Sequence, residues 1–402
     1  MHILFLVHNV AWRGSFFRGY HWGRHLARRG HQVTIAATSK SARLSFEAAY
    51  PEGVCVLQSP DLLWGRLRTG WDLWNIMRRT ARLLREPFDI VHSIDCRPVC
   101  ILPALALKWR RPQTMLILDW LDWWGHGGTI VERPGNLADR LFAPVETFFE
   151  EHFRTRADAS LTVSTALMER AVALGVPASS VTTIPFGADI EAITPRPQRE
   201  ARRALGLDPC TPIIGYVGML FRRDAQMLIE ATEHLVARVP GVRLLVIGNS
   251  NILVPPHLLA SGAVKVTGSL SYHDLQTYIS ACDLMLLPMK NSIANRGRWP
   301  SKVCDYFASG RAVVVTRVGD VAALAGRAEC GIVTGDTPEE FADGVQAALG
   351  NKAALDRMGA NARKVASEEL DWSLLTDRLE RFYRSAFSCK ANSRMRRIQQ
   401  EA

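Results

Sequence analysis

Short apolar runs recur along the chain at intervals typical of α/β proteins. In the first half they occupy residues 3–7, 32–37, 54–58, 89–93, 115–118, 159–163 and 181–184. The segments between them are long enough for helices, and Gly30 stands where a helix C-cap is expected after residues 20–29. Strands that alternate with helices predict parallel βαβ units. We therefore predict a Rossmann-like domain over residues 1–192.

A second set of the same kind follows a Pro- and charge-rich stretch. Its apolar runs are residues 213–217, 243–247, 265–267, 283–287 and 312–316, with helices predicted near 224–238, 273–281 and 300–309. We predict a hinge over 193–210, a second Rossmann-like domain over 211–370, a helix over 371–387 that returns to the first domain, and a basic tail over 388–402. Ligands of open α/β sheets bind at the carboxyl ends of the strands, so we expect the two domains to face a cleft there.

Composition narrows the class of protein and suggests a kind of partner. With 402 residues, 48% of them apolar, the chain has enough apolar residues for two full cores, which excludes a disulfide-stapled miniprotein or a disordered tail. The formal net charge is +10, and residues 1–118 hold 17 basic and 7 acidic groups, so this segment carries the whole excess. The excess favours an anionic partner for the first half: a phosphorylated ligand, a membrane surface or nucleic acid.

Cysteines and the N-terminus bear on the compartment. The eight Cys contain no CxxC pair and no zinc-ligand spacing, which favours reduced thiols and a cytoplasmic location. The start of the chain has no basic region and is predicted to be a strand rather than a signal peptide. No apolar run is long enough for a transmembrane helix. We find no metal set, because His21 and His25 lack a third ligand and are expected on a helix surface.

Several motifs, taken in order, resemble a known family. They are "RRGHQVTI" (28–35), "ADASLTVSTAL" (157–167), "VTTIPFGAD" (181–189), "IIGYVGML" (213–220), "ACDLMLLP" (281–288) and "PSKVCDYFASGRAVVVT" (300–316). Together they resemble the retaining glycosyltransferases of family 4, which have the two-domain GT-B fold. The resemblance implies a nucleoside-diphosphate-sugar donor, a glycan or lipid-linked acceptor, and no bound metal or cofactor. It also implies transfer with retention, in which the donor phosphate helps to deprotonate the acceptor.

Residues 299–310 predict one helix with donor-binding chemistry. Pro300 suits its first position and Gly310 its C-terminal cap, and the free N–H groups at its start suit a diphosphate. Lys302 and Asp305 share a face of this helix, where the carboxylate suits ribose hydroxyls. In the family the segment is E-x7-E, and Asp305 matches the second Glu. Gly297 stands at the first Glu, so the resemblance makes Asn295 or Arg298 candidates for the missing acid's role.

The resemblance also suggests phosphate cations. The family has an Arg where this chain has Met219, and a Lys near Arg222 and Arg223. We predict Arg223, and then Arg222, as the phosphate cation, because fixed cations stabilise a diphosphate that gains charge on leaving. In the N-terminal loop, Gly14 and Arg18 are further donor-binding candidates. A turn or a solvated loop with no ligand is the alternative for each of these two loops.

The segment "LDWLDWWGHGG" (118–128) carries the acceptor-side candidates. Asp119 or His126 is the candidate acceptor of the hydroxyl proton, and therefore the catalytic residue. Asp122 and Trp123 are acceptor-binding candidates, since carboxylates bind hydroxyls and indoles stack on sugars. The alternative is an Asp that caps a turn, with the Trp side chains packed in the core.

Residues 62–87 form a basic, Trp-containing segment. Leu67, Trp71, Trp74, Met77, Ala81 and Leu84 recur at helical spacing among six arginines. This pattern suits a helix resting on an anionic membrane, which would fit a lipid-linked acceptor. The pattern favours, over this, a helix that packs its apolar stripe on the sheet and exposes a basic face. No nucleic-acid motif accompanies it, so we do not expect a nucleic-acid partner.

Two other functions remain open for this sequence. Met219 and Gly297 depart from the family pattern and favour a non-catalytic nucleotide-sugar-binding subunit of the same fold. A nucleotide-sugar epimerase of GT-B type is the alternative enzyme.

Overall fold

The computed structural model describes residues 1–62, 69–132 and 137–401, which divide into two compact units. Unit 1 comprises Met1–Pro185 and Trp372–Ala402, and unit 2 comprises Phe186–Asp371. Both are α/β, with parallel sheets, which confirms the predicted fold class. Among the described residues, no helix is long and apolar enough to cross a membrane.

Unit 1 is built on an eight-stranded sheet. Strands β1 to β8 are His2–Val10, Gln32–Thr38, Glu47–Ala49, Val54–Ser59, Ile90–Ile94, Met115–Trp120, Ala159–Thr162 and Val181–Thr183. Their order is β3-β4-β2-β1-β5-β6-β7-β8, and every pair is parallel except β3 with β4. In the register of the central strands, Ile3 lies opposite Val33 on one side and Ile90 on the other. Most residues of the central strands are apolar and buried, as expected for strands covered on both faces.

The helices of unit 1 lie between these strands and at the C-terminus. They are Phe16–Arg28, Leu73–Leu83, Pro98–Arg110, Leu137–Glu151, Thr165–Ala173 and Trp372–Glu401. The last helix belongs to this unit and runs beyond the predicted end at residue 387. Its Tyr383 is fully buried and its hydroxyl lies 2.7 Å from Nδ1 of His92. His25, which we expected on a helix surface, is instead buried, and His21 stacks on Trp372.

Unit 2 is a six-stranded parallel sheet. Strands β9 to β14 are Ile213–Val217, Arg243–Ile247, Val264–Val266, Leu284–Leu287, Val313–Thr316 and Gly331–Thr334, in the order β11-β10-β9-β12-β13-β14. Its helices are Gln198–Ala204, Arg222–Arg238, Pro256–Ala260, Tyr272–Ala281, Ile293–Gly297, Lys302–Ala308, Gly319–Arg327, Pro338–Leu349 and Lys352–Glu368. The first of these lies inside the stretch predicted as a hinge. It is attached to unit 2 by Arg202, whose guanidinium donates to Asp283 at 2.8 Å.

Two edge strands were not predicted from the sequence. Strand β3 has all three residues exposed and pairs antiparallel with β4. Strand β14 is four residues long and pairs with β13, and a Cβ on Gly331 would lie 2.2 Å from the Val313 carbonyl oxygen. Both are short and only weakly apolar, so periodicity gave little signal for them.

Candidate active site

The helix predicted over residues 299–310 is shorter in the structure. It spans Lys302–Ala308, with Ser301 as its N-cap, so Pro300 precedes it, and Gly310 follows the C-cap residue with a φ of +66°. A helix of seven residues contributes little macrodipole. Positive charge at this point of unit 2 therefore comes chiefly from side chains.

Lys302 is held at the carboxyl end of β9. Its ammonium donates to the Tyr216 hydroxyl and, at 3.0 Å, to the Met219 carbonyl, and it lies 4.2 Å from the Tyr216 ring centroid. Burial, followed by the like charge of Arg298, lowers the pKa of Lys302 well below its usual value. An anion bound beside Lys302 would oppose both effects, so the site gains from a negatively charged ligand.

Asp305 follows Lys302 by one helical turn and is half-buried. Burial, and then the nearby Asp189 carboxylate, raises the pKa of Asp305 to about 7. The Lys302 ammonium opposes this rise. The structure thus brings Lys302 and Asp305 together as predicted, with a carboxyl group that titrates near neutral pH.

Asp224 organises the neighbouring loops and is a residue that the sequence analysis did not select. It is 1% exposed, in the first turn of the helix Arg222–Arg238. Its carboxylate accepts from Asn295 Nδ2 at 2.9 and 3.1 Å, from Arg298 Nη2 at 3.1 Å and from the Lys290 backbone N–H at 2.8 Å. An acidic residue at a helix start is also stabilised by the helix dipole.

This network separates the two replacement candidates for the missing acid. Asn295 is 1% exposed and its amide nitrogen is bonded to Asp224 and to the Lys290 carbonyl, so it acts as a positioning residue and not as a ligand-binding one. Arg298 keeps 17% of its side chain exposed and lies 4.2 Å from the Phe221 ring centroid. Arg298 is therefore the member of the pair that a ligand can reach.

Arg222 and Arg223 are both exposed and form the first two positions of the helix Arg222–Arg238. This helix has 17 residues, so its N-terminal partial charge reinforces the two guanidinium groups. Met219, at the position where the family has an Arg, is 64% exposed, and its carbonyl accepts from Lys302. The donor-side cations predicted in unit 2 thus lie in segments that follow β9 and β12, with Arg222, Arg223 and Lys302 at helix starts.

In unit 1, Arg18 and Asp119 form a fully buried ion pair. Both are 0% exposed, and Arg18 Nε donates to Asp119 Oδ2 at 2.7 Å. The same guanidinium donates to the carbonyls of Ile184 at 2.8 Å and Pro185 at 2.9 Å and covers the Trp22 ring. With no exposed surface, Arg18 cannot contact a donor and Asp119 cannot accept a proton from an acceptor, so neither predicted direct role fits this structure.

The loop after β6 carries the other acceptor-side candidates. Glu150 holds it by accepting from the backbone N–H groups of Trp124 at 2.7 Å and Gly125 at 2.5 Å. Asp122 and Trp123 are half-buried in this loop. His126 has a φ of +44°, and its side chain is 62% exposed, with Nε2 3.3 Å from Glu151 Oε2. Of the two catalytic candidates, only His126 is accessible.

A second polar pair lies at the ends of β1 and β5. His8 and Asp95 are 5% and 3% exposed, with His8 Nδ1 3.5 Å from Asp95 Oδ2. Burial, and then Asp122, raises the pKa of Asp95 to about 7, whereas burial lowers that of His8 well below its usual value. Both residues follow directly after apolar runs in the sequence, and this position is the signal from which they could have been predicted. They place a second titrating carboxyl beside the Asp122 loop.

Gly14 has a structural explanation. Its φ is +53°, and a Cβ there would lie 2.9 Å from the Asn9 side-chain amide, whose oxygen accepts from the Ser15 N–H at 3.0 Å. Gly14 therefore permits the turn between β1 and the first helix. A contact between Gly14 and a donor stays a prediction.

The basic segment does not pack as its apolar stripe predicts. Arg66, Leu67 and Arg68 lie outside the described residues. The helix Leu73–Leu83 turns Asn75 and Arg79 inward, where both are 0% exposed, and leaves Leu73 72% and Met77 64% exposed. Arg79 donates to Ser59 Oγ at 3.0 Å and to the Val7 carbonyl at 2.9 Å. Trp71 is buried as the packing alternative expects, but Met77 and Ala81 are exposed.

Comparisons with known proteins agree with this architecture. The family described as "Glycosyl transferases group 1" matches residues 211–351, and the "Glycosyl transferase 4-like domain" matches residues 18–187. The D-inositol 3-phosphate glycosyltransferase of Corynebacterium urealyticum is 29% identical over 216 residues, or 50% of each chain. That of Nocardia farcinica is 26% identical over 71% of this chain and 64% of its own. The chain thus spans about half to two thirds of the length of these curated relatives.

Solved structures share the fold across nearly the whole chain. Sucrose-phosphate synthase from Thermosynechococcus elongatus matches with a TM-score of 0.75 and 17% identity, covering 96% of this chain and 99% of its own. Anabaena HepE, solved in complex with UDP and also with UDP-glucose, matches with a TM-score of 0.70 and 16% identity, covering 96% and 100%.

Proposed function

The chain belongs to the family 4 glycosyltransferases, which have the GT-B fold, and we propose that it transfers a sugar from a nucleoside-diphosphate-sugar to a glycan or lipid-linked acceptor. The observation that carries the proposal is the set of cations at the carboxyl end of the second sheet. Lys302 and Arg298 are partly buried and close enough for Arg298 to lower the Lys302 pKa, and Asp224 gives these two cations one close counter-charge, on Arg298. A diphosphate supplies the missing negative charge.

The donor is proposed to bind by its diphosphate and its ribose. Lys302, Arg298, Arg223 and Arg222 neutralise the phosphates, and Asp305 binds ribose hydroxyls. The charge on the diphosphate grows as the glycosidic bond breaks, so fixed cations stabilise the transition state more than the bound donor. The likeness in fold to HepE, which was solved with UDP-glucose, supports a donor of this class.

The transfer is proposed to retain the configuration of the anomeric carbon without a metal. The acceptor oxygen attacks from the face that the diphosphate leaves, the bond from the anomeric carbon to the phosphate oxygen breaks, and the acceptor proton passes to the departing diphosphate. The protein's own part is positioning and charge stabilisation. His126, Asp122 and Trp123 are proposed to orient the acceptor, since His126 is the accessible candidate.

An anionic membrane surface is the proposed docking partner of unit 1. The exposed Leu73 and Met77 lie on a helix that also carries Arg78 and Arg82, and Arg85 stands in the turn that follows it. A helix with an apolar stripe beside basic residues binds in the interface of an anionic bilayer. Phosphatidylglycerol vesicles should sediment the protein, and L73S/M77S should abolish this while L253S, at the 91% exposed Leu253 of unit 2, should not.

The decisive experiment measures nucleoside diphosphate release. The protein is incubated with a panel of nucleotide sugars, with and without glycan, lipid-linked and phosphorylated-polyol acceptors, and with EDTA in a parallel series. We expect release that depends on an acceptor and survives EDTA. Binding without turnover would instead support the non-catalytic subunit, and conversion of the nucleotide sugar without acceptor would support an epimerase.

Donor-site variants connect this activity to the proposed residues. K302A and D305A should each weaken binding of the nucleotide sugar that turns over, because one loses a phosphate cation and the other a ribose acceptor. K364A, at an exposed Lys on the helix Lys352–Glu368 of the same unit, is the matched control and should bind as the wild type does. Unchanged affinity in both K302A and D305A would remove these residues from the donor site.

A further inference from the structure

A groove of about 1240 Å³ lies in unit 1, between the C-terminal helix and the sheet. Gln113, Asp158 and Ser180 line it, and each of these residues stands shortly before a strand, at the starts of β6, β7 and β8. These strands are parallel, so the groove lies at the amino edge of the sheet. The acceptor-side candidates follow β6 at the carboxyl edge, which makes the groove a separate site.

The described residues that line the groove include four cations and one carboxylate. The Lys108 ammonium binds Asp158, and the Lys390 ammonium lies 3.3 Å from the same Asp158 oxygen. Arg378 and Arg381 line the groove from the C-terminal helix. One carboxylate shared by two lysines leaves an excess of positive charge.

The cations also repel one another. Burial, and then contact with Lys108, lowers the pKa of Lys390 to about 8. Burial, and then Arg381, lowers the pKa of Arg378. Arg381 is exposed, and the described part of the chain shows no hydrogen bond or ion pair of its side chain. Ser179 and Thr182 also line the groove, and their hydroxyl groups offer further donors.

We propose that this amino-edge groove binds a phosphate group, contributed by a phosphorylated ligand other than the sugar donor. A phosphate dianion matches the excess charge better than a single carboxylate does, and Arg381 and Lys390 supply charge-assisted donors from one helix. Phe382 and Pro177 line the same groove and provide apolar surface for the rest of such a ligand. The phosphate belongs either to a free metabolite or to a lipid headgroup.

Titration calorimetry with inorganic phosphate at constant ionic strength tests the proposal. Phosphatidic acid vesicles compared with phosphatidylglycerol vesicles distinguish the two sources, because both surfaces are anionic but only phosphatidic acid bears a phosphate monoester. R381Q, which alters an exposed residue and is expected to fold, should weaken the binding about tenfold or more. R384Q, at an exposed Arg of the same helix that does not line the groove, is the matched control. K302A tests whether phosphate binds at the donor site instead.

Loss in R381Q of phosphate binding, or of the preference for phosphatidic acid vesicles, with R384Q unchanged, supports the proposal and identifies the source. Wild-type behaviour of R381Q in both assays overturns it, as does loss of phosphate binding in K302A alone. Because K302A removes a donor-site cation and R381Q does not, the failure of this proposal leaves the proposed glycosyltransferase function unaffected.

Discussion

Substitution of Asp224 by Asn tests the link between the buried network and the donor site. The side chains have the same shape, but the variant loses the negative charge that pairs with Arg298 at 3.1 Å. Its amide nitrogen would also have to face a donor, because Asn295, Arg298 and the Lys290 N–H all donate to the present carboxylate. The variant therefore leaves the partly buried Arg298 without its counter-charge, and its new amide N–H group faces at least two other donors.

The magnitude follows from these contacts. Removing one partner of a buried ion pair costs about 3–5 kcal/mol, and the partial exposure of Arg298 puts this case at the lower end, about 3 kcal/mol. Release of Arg298 from its position should also raise the Kd for the nucleoside diphosphate about tenfold or more, the equivalent of one charge-assisted hydrogen bond. Urea unfolding monitored by hydrogen exchange in residues 222–238 measures the first effect, and calorimetry with UDP measures the second.

A double-mutant cycle with R298Q identifies the cause. If Asp224 acts through Arg298, the losses of stability in D224N and R298Q will not add, and the cycle will give a coupling above about 1 kcal/mol. N295A should be coupled to D224N in the same way. Additive effects, together with an unchanged Kd for UDP in D224N, would refute the assignment of Asp224 as the residue that positions the donor-site cation.

Three further predictions concern other parts of the chain. The pKa of Asp305 is raised to about 7 in the folded protein, so between about pH 4 and 7 the unfolded state has lost a proton that the folded state keeps, and the stability contributed by Asp305 falls as the pH rises. D305N should flatten this part of the profile of melting temperature against pH, and an unchanged slope would contradict the pKa shift. In G128A the new Cβ would lie 2.1 Å from the Trp123 carbonyl oxygen, so we expect the free energy of unfolding to fall by about 1–3 kcal/mol and acceptor-dependent turnover to be lost, while UDP binding is kept. G326A, where the nearest atom would lie 3.7 Å from the new Cβ, is the control and should behave as the wild type in unfolding and turnover assays. R18M should destabilise unit 1 by about 3–5 kcal/mol in urea unfolding, because it leaves the Asp119 carboxylate buried without its cation. The Kd for UDP should stay within twofold of the wild-type value, and a large loss of UDP affinity would instead indicate that Arg18 belongs to the donor site.

The fold was largely predictable because its signal is local. Continuous apolar runs such as Ile213–Val217 are typical of strands buried on both faces, and helices of suitable length separate them. The proximity of Lys302 and Asp305 could also be predicted, because they are one turn apart on the same helix. Short edge strands such as Glu47–Ala49 lack that signal because all of their side chains are exposed.

The errors concern pairings between distant residues. Arg18 and Asp119 are 101 positions apart, and nothing local shows that each neutralises the other inside the core. Likewise, the helix Leu73–Leu83 buries Asn75 and Arg79 because Asp61 and Ser59 supply their partners, which reverses the face that hydrophobicity alone would choose. Accessibility, which separates His126 from Asp119, is a property of the packed structure alone.

The arginine at position 18 also bears on how such a chain can evolve. Arg18 donates to the carbonyls of Ile184 and Pro185, the last residues before the chain leaves unit 1. Its partner Asp119 lies 3.6 Å from His92, and His92 contacts Tyr383 on the C-terminal helix, where the chain has returned to unit 1. Any single replacement would strand a charge or a ring nitrogen in the interior. Across descendants of a common ancestor, positions 18, 92, 119 and 383 should therefore change as a set, with partial combinations rare.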